Sequence, residues 1–145
     1  MNPLNPYRGQ TEVELYGRKY PMTFNMNVIA EFEARTGKDF NHVAISAINA
    51  YRNSEKCGTL SERAEVLTKA ISRADAAWLF YIASKESDKL VTFEEIQEAV
   101  MLEGFIYRED ESGVQHASYP IRFIEAVSFA TVGILDKLKK KNQKE

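Results

Sequence analysis

The chain has 145 residues, 44% of them hydrophobic and 28% charged, and a formal net charge of −2. A length of this order serves one domain that buries about 70% of its unfolded surface, and a composition near the globular average excludes wholesale disorder. Near-neutral charge excludes a global attraction to nucleic acid or anionic membrane. The single cysteine, Cys57, excludes an internal disulfide and a cysteine-based zinc site and fits a reducing compartment.

Residues 1–10, with Pro3, Pro6 and Gly9, are expected to form an extended arm. They lack the charged-then-apolar layout of a signal peptide, and no run approaches the roughly 18 apolar residues that suggest a membrane span, so the cytoplasm is the expected location.

From Thr11 to Phe24 the hydrophobic period is two. Thr11, Val13 and Leu15 alternate with Glu12, Glu14 and Tyr16, and beyond Gly17-Arg18 the apolar set resumes at Tyr20, Met22 and Phe24. A Gly-first two-residue loop favours a II′ turn, which sets Leu15 opposite Tyr20, Val13 opposite Met22 and Thr11 opposite Phe24. Pro21 then falls opposite Glu14, at a position whose N–H should feed the ladder; either the register is shifted or the hairpin is bent there.

From Asn25 onward the period changes to that of a helix. Asn25 caps a segment in which Val28, Ile29 and Phe32 share a face, and Gly37 suits the left-handed residue past its end. Asp39 or Asn41 starts a second helix carrying Val43, Ala44, Ile45, Ile48 and Tyr51. Thr59 with Glu62 is a capping box for a third, with a stripe of Leu60, Ala64, Leu67 and Ile71. Ser72 with Asp75 repeats the signature ahead of Ala76–Ala83, AAWLFYIA, which is apolar all round and therefore expected at the centre of the helical layer. Thr92 with Glu95 opens the next helix, with Phe93, Ile96, Ala99 and Val100 inward and Gly104 at its end.

Phe105 to Tyr119 contains a polar insert around Gly113, and its period leaves a loose hairpin and a mobile loop equally open. Pro120, with Ser118 as cap, opens the last helix, where Ile121, Ile124, Val127, Thr131, Ile134 and Leu138 recur at three-to-four spacing. Lysines at 137, 139, 140, 141 and 144 follow, where cations complement the helix dipole. The expected architecture is α+β, an N-terminal antiparallel β-hairpin packed on a mostly helical bundle of about five to six helices. Its divisions are an arm over 1–10, a single domain over 11–138 and a lysine-rich tail over 139–145.

Chemistry-bearing motifs are few. Ser84 to Glu95 imitates the exit of an EF-hand loop, but the alignment puts Ser84 where the first Asp belongs and Lys89 where Gly must make the sharp turn, so calcium binding is rejected. His42 and His116 are the only histidines and have no metal-ligand spacing. Cys57 beside Lys56 has no base or oxyanion hole that the sequence could identify. Phosphate loops, nucleophile elbows and deaminase signatures are missing. No catalytic, cofactor-binding or metal-ligating residue is assigned, and a non-enzyme is expected.

The block N-x-N-V-I-A-E-F-E-x-x-T-G-K-x-F over Asn25–Phe40, sharpest from Glu31-Phe32-Glu33 to Gly37, follows a hairpin and precedes a wholly helical remainder. This pattern resembles the tail assembly chaperones of long-tailed bacteriophages, with a weaker likeness through Ala74–Ala83 and Thr92–Val100. The resemblance implies a non-enzymatic protein in the cytoplasm of the bacterial host that coats the tape-measure protein and keeps it soluble until the tail tube polymerises. It implies the tape-measure protein and the tail tube protein as partners. It also makes Lys139-Lys140-Lys141 a place where an A-rich run would permit a programmed ribosomal frameshift. A structural tail or connector subunit retained in the particle is the alternative. A small DNA-binding regulator using the lysine cluster is a third reading, against which stands the absence of any aromatic or arginine partner for those lysines.

Partner contact is expected on the last helix. Phe123, Phe129 and Ala130 lie off the stripe of Ile121, Ile124, Val127 and Ile134, so the helix carries more apolar surface than one inner face needs. Ile121, Phe123, Ile124, Val127, Phe129 and Ile134 are the candidate contact residues, for the tape-measure protein or for a second copy of the chain.

Overall fold

The computed structural model describes the backbone of residues 4–5, 8–103, 108–109, 115–116 and 119–143, and the side chains of the same residues apart from 60, 108–109, 115–116 and 133–143. Two strands, β1 (Gln10–Leu15) and β2 (Arg18–Thr23), are followed by helices α1 (Met26–Thr36), α2 (Phe40–Ser54), α3 (Leu60–Ala70), α4 (Arg73–Ser87) and α5 (Phe93–Glu103). Two short strands, β3 (Arg108–Glu109) and β4 (Gln115–His116), then precede α6 (Tyr119–Gln143). The fold is the expected α+β arrangement of a hairpin on a helical bundle. Strands β3 and β4 pair antiparallel, Arg108 with His116 and Glu109 with Gln115, while the rest of the insert, Gly104 and the proposed cap Ser118 lie outside the described residues.

The hairpin's faces are as expected and its register is not. Its turn is Tyr16-Gly17, with φ of 49° and 80°, the pair of positive angles that defines a type I′ turn. Leu15 therefore faces Arg18, Val13 faces Tyr20 and Thr11 faces Met22. The shift is by two residues, and because side chains alternate with period two, Val13, Leu15, Tyr20 and Met22 stay on the buried face. Pro21 supplies the physical reason. The Phe24 N–H donates to the Gly9 carbonyl at 2.7 Å, and alternation counted from that bond makes Glu12 and Pro21 a non-hydrogen-bonded pair. The proline's missing N–H thus faces away from the ladder, where the expected register would have required it. Gly9 is fixed by the same contact, since at φ 77° a Cβ would lie 2.2 Å from the Phe24 carbonyl oxygen.

Of the expected arm, the Arg8 and Gln10 N–H groups donate to the Asn5 carbonyl at 3.0 and 3.1 Å, and residues 1–3, 6 and 7 lie outside the described residues.

Helices α1 to α5 each start at a side-chain cap. Asn25, Asp39, Thr59 and Ser72 accept from the N–H groups of Val28, His42, Glu62 and Asp75, and Thr92 accepts from Glu95 N–H at 3.2 Å. Gly37, at φ 70°, ends α1 with its N–H on the Glu33 carbonyl.

Helix α4 is the central element. It touches α1, α5, α6 and β2, and buries Asp75, Ala76, Ala77, Leu79, Phe80, Ile82, Ala83 and Ser84. A helix enclosed on so many sides needs apolar residues all round, which is what AAWLFYIA provides. Helix α2 packs on α6 and α3, and its inward residues are Phe40, Ala44, Ala47, Ala50 and Ser54, while Ile45, placed on the inner face by its sequence neighbours, is 59% exposed. Helix α6 likewise buries Ala126 and Ala130. The buried set of α2 thus combines the small Ala44, Ala47 and Ala50 with the bulky Phe40, and Val43 and Tyr51 pack against the core from the same helix. Lys139–Lys141 lie within α6, which continues to Gln143 and so carries the helix through the boundary expected at 138.

Candidate partner-binding surface

The residues that carry the chaperone resemblance are structural. Phe32 is fully buried and meets Phe40 edge-on at 6.0 Å. The Glu31 carboxylate accepts from Lys85 Nζ at 2.8 Å, tying α1 to the end of α4. Glu33 accepts from the Phe40 N–H at 2.9 Å and holds the start of α2. Lys38 Nζ lies 2.7 Å from Asp75, whose side chain is 12% exposed, and pins the α1–α2 link to the first turn of α4. The block is thus a local instruction for folding α1 against α4 and α2: Val28, Ile29, Phe32 and Phe40 are buried, while Asn27, Ala30 and Lys38 are exposed.

The apolar edge expected on α6 is not a surface. Phe123 is 1% exposed and packs edge-on to Phe80 at 6.2 Å, and Val127 and Ile124 are also buried. Ile121 is half-buried against the core, and Phe129 is half-buried with its ring 6.2 Å from that of Phe24. The side chain of Ile134 lies outside the described residues. The apparent excess of apolar residues has a physical reason: α6 is enclosed by α2 and α3, by α4 and by β1, so Phe123 and Ala130 fill a second inner face.

Elsewhere, apolar exposure is scattered: Leu90 at 88%, Met26 at 63%, Val132 at 57% and Met101 at 50% are the largest instances besides Ile45. Trp78 and Tyr81 of α4 and Phe93 of α5 make an aromatic cluster. Trp78 stacks on Phe93 at 4.2 Å, Tyr81 meets both edge-on, and the Arg35 guanidinium lies 5.4 Å from the Trp78 ring. Sequence reasoning missed this cluster because Arg35, Trp78 and Phe93 come from three helices.

Polar contacts explain the remaining motifs. Glu95 is engaged by Arg18 at 2.6 Å and by the Tyr20 hydroxyl at 2.9 Å, and Ser84 is buried inside α4, so the stretch that imitates a calcium loop is built into the hairpin–α5 contact. Burial, helped by the hydrogen bond to Glu95, raises the Tyr20 pKa. Burial also raises that of Tyr119, against the opposing field of Arg73, and the Tyr119 hydroxyl donates to the Ile71 carbonyl at 2.9 Å. Cys57 is half-buried, with its sulfur 3.8 Å from the Asn53 carbonyl. Among the described residues no three His, Cys, Asp or Glu side chains gather so as to hold a metal ion, and no helix is long and apolar enough to cross a membrane.

No protein-family model matches the chain, and no characterised protein or solved structure is significantly similar to it. The reading of function therefore rests on the residues and on the fold.

Proposed function

We propose that this protein is a non-enzymatic assembly chaperone of a phage tail, which binds the tape-measure protein in the cytoplasm of the bacterial host and keeps it soluble until the tail tube polymerises around it. The observation that supports the reading is the agreement between motif and architecture: the Asn25–Phe40 block sits between an N-terminal hairpin and a helical bundle, and its residues hold that junction together. A long helical partner presents the same apolar stripe many times, so weak contacts along it add by avidity. Tube subunits release the chaperone by competing for those stripes.

Co-expression tests this. A tape-measure protein co-expressed with this chain should be recovered in the soluble fraction, and in the pellet when expressed without it. A soluble fraction that the chain leaves unchanged would sink the proposal. The alternative, a tail or connector subunit, predicts many copies of the chain in purified particles by mass spectrometry, where a chaperone should be absent.

A further inference from the structure

The sheet of β1 and β2 has two outer edges, and they differ. Alternation counted from the bond between Phe24 and Gly9 turns the backbone groups of Lys19, Pro21 and Thr23 outward on β2, and those of Gln10, Glu12 and Glu14 outward on β1. Pro21 has no N–H to offer, so the β2 edge is broken at its middle. On β1 it is the ends that are occupied. The Gln10 N–H donates to the Asn5 carbonyl at 3.1 Å, and the Tyr16 N–H, just past the strand, donates to the Glu103 carboxylate. Between them the backbone N–H and C=O groups of Glu12 and Glu14 have no partner among the described residues. Glu12 is exposed, and the Glu14 side chain is 43% exposed. Unpaired edge groups are a template for another extended chain.

We propose that the middle of β1 takes up an extended segment of a partner protein as a third strand, with Lys or Arg placed beside Glu12 and Glu14. Two residues of the added strand, two positions apart, would pair with Glu12 and Glu14 and carry their side chains on the same face as the carboxylates. Glu14 already has Lys19 opposite it in β2 and Arg122 at 3.5 Å, whereas Glu12 faces Pro21 and has no ion pair among the described residues. The cation beside Glu12 therefore contributes more than the one beside Glu14. A second copy of the chain is the poorer occupant, because antiparallel pairing of β1 with β1 through these groups sets carboxylate against carboxylate. This inference stands apart from the chaperone reading, and co-expression with a tape-measure protein does not decide it.

The test is a residue-resolved NMR titration of the full chain with the peptide acetyl-Thr-Lys-Val-Lys-Thr-amide. Saturable shifts should centre on the Glu12 and Glu14 amides. Methylating the backbone nitrogens of both lysines should weaken binding at least about tenfold, since two hydrogen bonds are lost. Glutamates in place of the lysines should weaken it at least about threefold. Glu12→Pro removes one outward N–H at a position that the ladder does not use, so the variant should keep its hairpin and bind the peptide about fivefold more weakly. If Glu12→Pro does not fold, the methylated peptide decides alone. Shifts that avoid Glu12 and Glu14, or binding indifferent to methylation, would overturn the proposal. So would concentration-dependent shifts of the same two amides without peptide, which would make a second copy the occupant.

Discussion

The hairpin, α1, α4 and α5 are joined by polar ties that cross between elements, in addition to their shared apolar core. Lys85 meets Glu31, Lys38 meets Asp75, Thr23 meets Ser87 at 2.7 Å, Glu95 receives Arg18 and Tyr20, and Glu103 receives the N–H of Tyr16. Helices α2, α3 and α6 form the other region, whose buried residues are Phe40, Leu67, Phe123 and Val127 together with alanines at 44, 47, 50, 126 and 130. The polar ties that reach this region sit at its margins: Glu33 on the first residue of α2, Tyr119 on Ile71, and Arg122 3.5 Å from Glu14. Exposed ion pairs are individually weak, about 0–1 kcal/mol each. Their value lies in direction: each fixes one orientation between two elements, where small apolar faces alone tolerate sliding or exchange. One region has its element orientations fixed by polar ties, and the other rests mainly on apolar packing.

The largest test of this contrast asks whether the regions share one core. Phe123 on α6 packs against Phe80 on α4, so Phe123→Ala should lower the unfolding free energy by about 3–5 kcal/mol in a denaturant titration. A change below 1 kcal/mol would mean that α6 is attached to the tied region only loosely. Next come two cap variants of the same chemistry in different regions. Ser72→Ala and Thr59→Ala should each lower global stability by about 1 kcal/mol. Thr59→Ala should also speed amide exchange within α3, residues 60–70, more than Ser72→Ala does, because Thr59 caps α3 itself and Ser72 caps α4. Equal acceleration by both would show that α3 does not open alone.

Alkaline titration follows. Tyr20 and Tyr119 have pKa values raised above the ordinary 10.0 by burial. The neutral phenols are therefore favoured in the folded state, and the stability they contribute is present below pH 10 and lost as pH rises beyond it. Tyr119→Phe should remove part of that loss, and it should cost about 1 kcal/mol at neutral pH through the Ile71 hydrogen bond; a thermal midpoint from pH 9 to 11 that falls as steeply as the parent's would exclude Tyr119 as a contributor. The smallest effect is expected at Glu95→Ala, about 1 kcal/mol or less by chemical denaturation, since Arg18 is 59% exposed. A larger loss would mean that the hairpin depends on this tie for its docking.

What was legible in the sequence was local chemistry. Capping residues act within one turn, so Asn25, Thr59, Ser72 and Thr92 announced their helices, and an unbroken apolar run announced the central one. The hairpin's faces follow from period two alone, but its register turned on which two residues make the turn, and Pro21 already carried the objection that the structure resolves. Phe123 was misplaced because the arc of a helix that must be apolar depends on how many neighbours enclose it, a tertiary property. Ala47 and Ala50 were overlooked for a related reason: alanine reads as neutral in a pattern, and its importance at a close helix contact appears only when the facing helix is known. Surface chemistry was the least legible of all, since Glu31, Phe32, Glu33 and Phe40 of the Asn25–Phe40 block are engaged in holding the fold together.

Hydrogen exchange of the full chain, followed segment by segment at neutral pH, tests the contrast most directly. The account predicts that amides of α4 and α1 exchange only through opening that spans the tied region, while those of α3, residues 60–70, exchange at least about tenfold faster and respond to lower denaturant. Protection of α3 equal to that of α4, with one common dependence on denaturant, would contradict it and make the chain a single cooperative unit.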